Sequence, residues 1–148
     1  MTNFQVLCKE IMALSRSSVW DVAKTEWSVI DMEQADEPET CLCGHYPIVE
    51  VFTLANKYTG HTVRVGNVCV NKFIRKNNAF NGYKKILKTI TASATIDLIK
   101  FALDKHIITT KDYNFYINIM RKRVLSELQY NWKVDINIKI VNYLKRTN

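Results

Sequence analysis

The chain has 148 residues, 47% of them apolar, with only four glycines and two prolines. That bounds it to one domain or two small subdomains with a real core, and argues against a long disordered linker. No run approaches the ~20 apolar residues that cross a bilayer, so no membrane partner is expected. The net charge of +7 conceals a polarity: residues 1–50 carry nine acids and three bases, residues 51–148 five acids and eighteen bases. The C-terminal two-thirds is thereby expected to meet a polyanion.

In chain order, residues 2–18 read as a helix. Phe4, Leu7, Ile11 and Leu14 recur at helical spacing, Thr2 or Asn3 can cap its start, and residues 15–18 end it. The opening Met1-Thr2-Asn3-Phe4-Gln5 has no basic start and no apolar signal core. With four cysteines, one of them Cys8 on the helix, this suits a reducing compartment, and a cytoplasmic location is expected. Trp27, Val29 and Met32 alternate with polar residues, so residues 26–32 read as a strand. Residues 33–39 are an acidic loop containing Pro38.

That loop delivers the chain to Cys41-Leu42-Cys43-Gly44-His45. Residues 47–54 alternate, with Val49, Val51 and Thr53 on one face and Ile48, Phe52 and Leu54 on the other. Asn56-Lys57-Tyr58-Thr59-Gly60 is a turn, and Thr62, Val63 and Val65 form the return strand, broken by Gly66-Asn67. Cys69 then opens a helix running to Asn77.

The cysteines have a physical reading. Alternate residues of an extended strand stand roughly 6.6 Å apart, whereas zinc needs each sulfur at about 2.3 Å. Cys41 and Cys43 can share an ion only if the chain folds back beside them, which Gly44 permits by taking positive φ. With Cys69 and one imidazole they make a Cys₃His shell, a closed tetrahedral set for structural zinc. His45 is the favoured fourth ligand, and His61 competes for the role. Knuckle, hairpin, then a ligand at a helix start is the order of a treble-clef zinc finger, although the common CxxC is here CxC and Lys72 stands where a second helix cysteine would be.

The remainder reads as helical. Tyr83, Ile86, Leu87, Ile90, Ala94, Leu98 and Phe101 give one long face over residues 83–105. Thr109 or Thr110 caps a helix with Tyr113, Ile117 and Met120 inward. Ser126 caps another, with Leu128, Trp132, Ile136, Ile140 and Leu144 as its core; residues 135–140 also alternate as a strand would. The expected whole is an α+β protein, a treble-clef-like zinc β-hairpin packed against a mainly α-helical bundle. Its segments are 1–40 (helix and strand), 41–78 (zinc hairpin and helix) and 79–148 (helical region), gathered in one compact unit.

The run C-x-C-G-H-x-P-I, then Asn56, Thr59-Gly60, and Val65-Gly66-Asn67-x-Cys69-Val70-x-Lys72-Phe73 resembles a zinc-ribbon-like motif of small proteins from bacteriophages, mobile elements and some eukaryotic viruses and fungi. It covers residues 41–75, and its recurring residues match Cys41, Cys43, His45 and Cys69. Further on, Ile108-Thr109, Tyr113-x-Phe115, and Arg123-x-Leu125-Ser126-x-x-Gln129 are similar to a helical pair found beside phage replication and recombination modules. The resemblance implies a phage or prophage protein connected with nucleic acid.

Three basic clusters could carry such binding: Lys72, Arg75 and Lys76; Lys84, Lys85 and Lys88; and Arg121, Lys122 and Arg123. Contacts from these to phosphate give salt-dependent, sequence-independent affinity. Lys57 and Tyr58 at the hairpin tip could stack on an unpaired base. DNA is favoured over RNA. The competing reading is a small protein–protein effector that modulates a host enzyme or defence factor through the acidic N-terminal third or an apolar patch. An enzyme is not expected: no phosphate loop, HExxH or nucleophile–base pair is present, and Asp21, Glu26, Asp31 and Glu50 have no spacing that demands magnesium.

Overall fold

A computed structural model describes residues 1–73 and 79–145. The fold is α+β, with six α-helices and a three-stranded antiparallel sheet among the described residues. The chain divides into two compact units, residues 1–76 with 145–148, and residues 77–144.

The first unit opens with α1 (Asn3–Ala13). Thr2 is its N-cap, and a reciprocal capping box with Gln5 satisfies two backbone donors that the first turn leaves orphaned. A short α2 (Trp20–Ala23) and a 3₁₀ turn (Lys24–Glu26) lead into β1 (Trp27–Glu39). β2 (Ile48–Asn56) and β3 (Thr62–Val65) complete the sheet in the order β1-β2-β3. The registers Met32↔Phe52↔Val65 and Leu54↔Val63 set an apolar face, buried in the same core as Leu7 and Ile11 of α1. On the opposite face Arg64 faces Thr53, and Glu33 faces Val51.

Residues 33–39 are therefore strand rather than loop, a correction with a visible cause. Between the pairs Gln34↔Glu50 and Glu39↔Ile48, β1 gains three residues on β2. Arg64 closes this detour from both ends, donating to Glu33 at 2.7 Å and bidentately to Glu39 at 2.9 and 2.7 Å. The Arg64 bond holds the Glu39 carboxyl below the usual carboxylate range, and the same two partners raise the guanidinium. A second buried acid, Glu26, accepts from the backbone N–H of Arg16 (2.8 Å) and Ser17 (2.9 Å) and from Asn56 Nδ2 (3.1 Å). Burial alone would raise its pKa, but these donors outweigh it and the carboxyl is lowered.

The second unit holds α3 (Ala79–Lys88), α4 (Ile96–Asp104), α5 (Thr110–Ile119) and α6 (Glu127–Leu144). The single face expected over residues 83–105 is two helices, interrupted at 89–95. The interruption exists because buried side chains satisfy its backbone. Asn137 Nδ2 donates to the carbonyls of Ile90 and Ala92, both at 2.8 Å, and Tyr116 Oη accepts from Ala94 N at 3.0 Å while donating to Asn137 Oδ1 at 2.8 Å. Thr109 and Ser126 cap α5 and α6 as expected. The buried stripe of α5 is Asp112, Tyr116 and Ile119, one residue behind the expected Tyr113, Ile117 and Met120, because Asp112 accepts from Trp132 Nε1 and Tyr116 joins the Asn137 network. On α6, Ile136, Ile140 and Leu144 are buried, but Leu128 is 82% exposed because burial begins only at Lys133. Residues 135–140 are helix.

Candidate metal centre

Cys41 and Cys43 sit on a knuckle between β1 and β2. Gly44 N donates to Cys41 O (2.8 Å) and Cys41 N to His45 O (2.9 Å), and Gly44 takes φ of 93°, where a side chain would be strained. Leu42 N bonds to Arg64 O at 3.2 Å, which ties the knuckle to β3. Cys69 arrives from the far end of that strand through Gly66. A Cβ at Gly66 would lie 2.9 Å from Ile48 Cγ2, so the close approach requires glycine.

The three sulfurs lie within 4.8 Å of one another, and all three cysteines are buried. Two backbone amides already point at them: Gly66 N donates to Cys41 Sγ at 3.3 Å, and His45 N to Cys43 Sγ at 3.4 Å. Such second-shell donors orient ligands and stabilise thiolate charge. The Cys69 thiol bonds to Cys41, and this bond, helped by the Cys43 and Gly66 amides, pulls Cys41 down to about 5; the same bond and burial push Cys69 up. Three convergent soft donors fit a single thiophilic metal ion.

The helix expected to open at Cys69 is, over its described part, one 3₁₀ turn (Cys69–Lys72). Residues 74–77 of that expected helix, with Arg75 and Lys76 of the first basic cluster, lie outside the described residues. The imidazoles of His45 and His61 are both outside the sulfur trio. They differ in position: His45 lines the cavity onto which the three cysteines open, and His61 does not. Cys8 stands apart on α1, its thiol raised by burial. Asp21, Glu26, Asp31 and Glu50 do not gather. Among the described residues the cysteine trio is the only set of three or more such ligands at this spacing.

No protein-family model, curated protein or solved structure matches this chain. The site must be read from its own chemistry.

The described basic residues of the expected nucleic-acid surface, Lys57, Lys72, Lys84, Lys85, Lys88, Arg121, Lys122 and Arg123, are all exposed. Tyr58 at the hairpin tip carries the Arg16 guanidinium on its ring at 3.5 Å and the Lys57 ammonium at 5.1 Å. Arg16 was not legible as part of this group, since it lies 42 positions away in sequence. Lys133 was missed too. It is nine-tenths buried on α6, and burial and the nearby Lys85 both lower its pKa. Among the described residues no helix is long and apolar enough to cross a membrane.

Proposed function

We propose that this chain is a nucleic-acid-binding accessory protein of phage or prophage type, with zinc as a structural ion and DNA favoured over RNA. The observation that carries the reading is the pairing of a buried three-sulfur site with a surface rich in unburied lysine and arginine. Cys41, Cys43 and Cys69 supply three ligands, and His45 turns inward to supply the fourth. A filled Cys₃His shell has no open position for substrate, so zinc clamps the knuckle to the segment after β3 and a binding role is assigned in preference to a reaction. Lys84, Lys85 and Lys88 on α3, with Arg121, Lys122 and Arg123 before α6, contact phosphates. The protein works in the host-cell cytoplasm.

The test is the salt dependence of binding to single-stranded and duplex probes. A chain making several phosphate contacts loses affinity steeply between 50 and 200 mM salt. Replacing Lys84, Lys85 and Lys88 by Glu abolishes binding while the fold persists, because all three are exposed. Failure of every probe to bind at low salt refutes the reading. The effector alternative is supported by a separate feature: Val124 just before α6 and Leu128 in its first turn, 86% and 82% exposed, follow Arg121–Arg123 closely in sequence. Apolar residues so exposed mark contact surfaces when they cluster. A protein partner retained after nuclease treatment, and lost on Val124→Asp, is the outcome that would favour it.

A further inference from the structure

Beside the sulfur trio the first unit contains an open cavity of about 530 Å³, within the range of about 300–1,000 Å³ usual for small-molecule sites. The trio is part of its lining, and the metal reading uses only that part. The apolar lining includes Phe4 and Leu7 of α1, Ile48, and Val68, which is 72% exposed. The polar lining includes Asn3, Asn67, Glu50 and Lys72. The Lys72 ammonium stands 5.0 Å from the centre of the Phe4 ring, and that ring is 44% exposed.

We propose that this cavity receives one unpaired nucleobase of a single strand, with the adjoining phosphate on Lys72. The inference rests on the nucleic-acid reading and deepens it. Apolar walls and an aromatic ring match the faces of a base, which stack with little regard to sequence. The side-chain amides of Asn3 and Asn67 offer both donors and acceptors to a base edge. The Lys72 ammonium beside the Phe4 ring is placed to meet the phosphate of a nucleotide whose base enters the cavity. An aliphatic anchor from a protein partner would use the apolar lining but leave the two amides without work, so the chemistry favours a nucleotide.

The experiment uses the full, metal-loaded chain and a short oligothymidine carrying one 2-aminopurine, at low salt. Binding changes the 2-aminopurine fluorescence, and replacing that nucleotide by an abasic one weakens binding about tenfold. Phe4→Ala and Lys72→Gln each reduce affinity by a similar factor. Val68→Glu, which puts a charge at an exposed position of the mouth, does so without touching the core. If these variants bind like the native chain, or if the abasic strand binds equally well, the base site is refuted while the basic helices still account for binding. If they bind less tightly but an apolar peptide displaces the native chain's oligonucleotide while an oligothymidine competitor does not, the cavity belongs to a protein partner and the inference also falls. If no oligonucleotide binds at all, the nucleic-acid reading falls with it.

Discussion

Removing the metal, or one of its ligands, tests the centre most directly. With three sulfurs no more than 4.8 Å apart, each pair of thiolates repels by about 3.5 kcal/mol at an effective dielectric of 20, or about 10 kcal/mol for the three pairs. The metal-free trio therefore cannot hold three charges. It keeps one on Cys41, drawn down to about 5, and a proton on Cys69, whose thiol is pushed up. A metal must displace every proton the trio still carries. Cys41 is already ionised between pH 6 and 8 and contributes nothing there, whereas each thiol still protonated adds a tenfold gain in affinity per pH unit. Competition against a chromophoric chelator at pH 6, 7 and 8 reads this slope. At free metal 1,000-fold above Kd the ion adds about 4 kcal/mol, which raises the melting temperature of a unit this size by about 15–30 °C. Cys69→Ser lowers affinity by more than the about 10–100-fold typical of outer-shell changes. Affinity independent of pH, or purified protein that binds no metal, refutes the reasoning.

His45→Ala weakens metal binding in the same competition while His61→Ala leaves it unchanged, since only His45 lines the cavity of the trio; equal effects would overturn the assignment. Asn137→Ala removes three hydrogen bonds of a fully buried amide. At about 1 kcal/mol each it destabilises the second unit by about 3 kcal/mol and lowers its melting point by about 12–24 °C; a loss under about 1 kcal/mol would show that water replaces the amide. Because the folded Glu26 carboxyl titrates below its unfolded value, its contribution is complete above the unfolded pKa and disappears as pH falls through the folded one. Glu26→Gln is accordingly less stable than the native chain at pH 7, and the difference closes as pH falls through the folded carboxyl's pKa; denaturant midpoints followed from pH 7 into the acid range check the convergence.

The parts of the fold that were legible in the sequence are those fixed by local chemistry. The three caps at Thr2, Thr109 and Ser126, the alternation of β2 and β3, and the gathering of Cys41, Cys43 and Cys69 follow from residues a few positions apart, or from ligand types that have few other uses in such a cluster. What escaped was set by distant partners. The break within residues 83–105 has a local mark that an apolar count passes over, the Thr/Ser-rich run 89–95 whose Thr95 caps α4, while the groups that stabilise its backbone are Tyr116 and Asn137, on α5 and α6. The stripe of α5 slipped by one residue because hydrogen bonding lets Asp112 and Tyr116 occupy positions that an apolar count gives to their neighbours. Residues 33–39 looked like a loop because Glu33 and Glu39 are charged. Their neutralising partner, Arg64, was visible only as a lone charge in an alternating strand, which is the one clue that could have been followed.

The Arg64 clasp also frees the segment it encloses. The pairing of β1 with β2 shifts register between Gln34 and Glu39, and the two carboxylates near those points are fastened to one guanidinium. The position of the knuckle is thus set by the clasp and not by how many residues lie between. Extra residues inserted among the exposed Asp36, Glu37 and Pro38 cost only the slow logarithmic growth of loop closure, about 0.6 kcal/mol per doubling of length. This is the place where the chain can carry a graft or a label while its sulfurs stay in register.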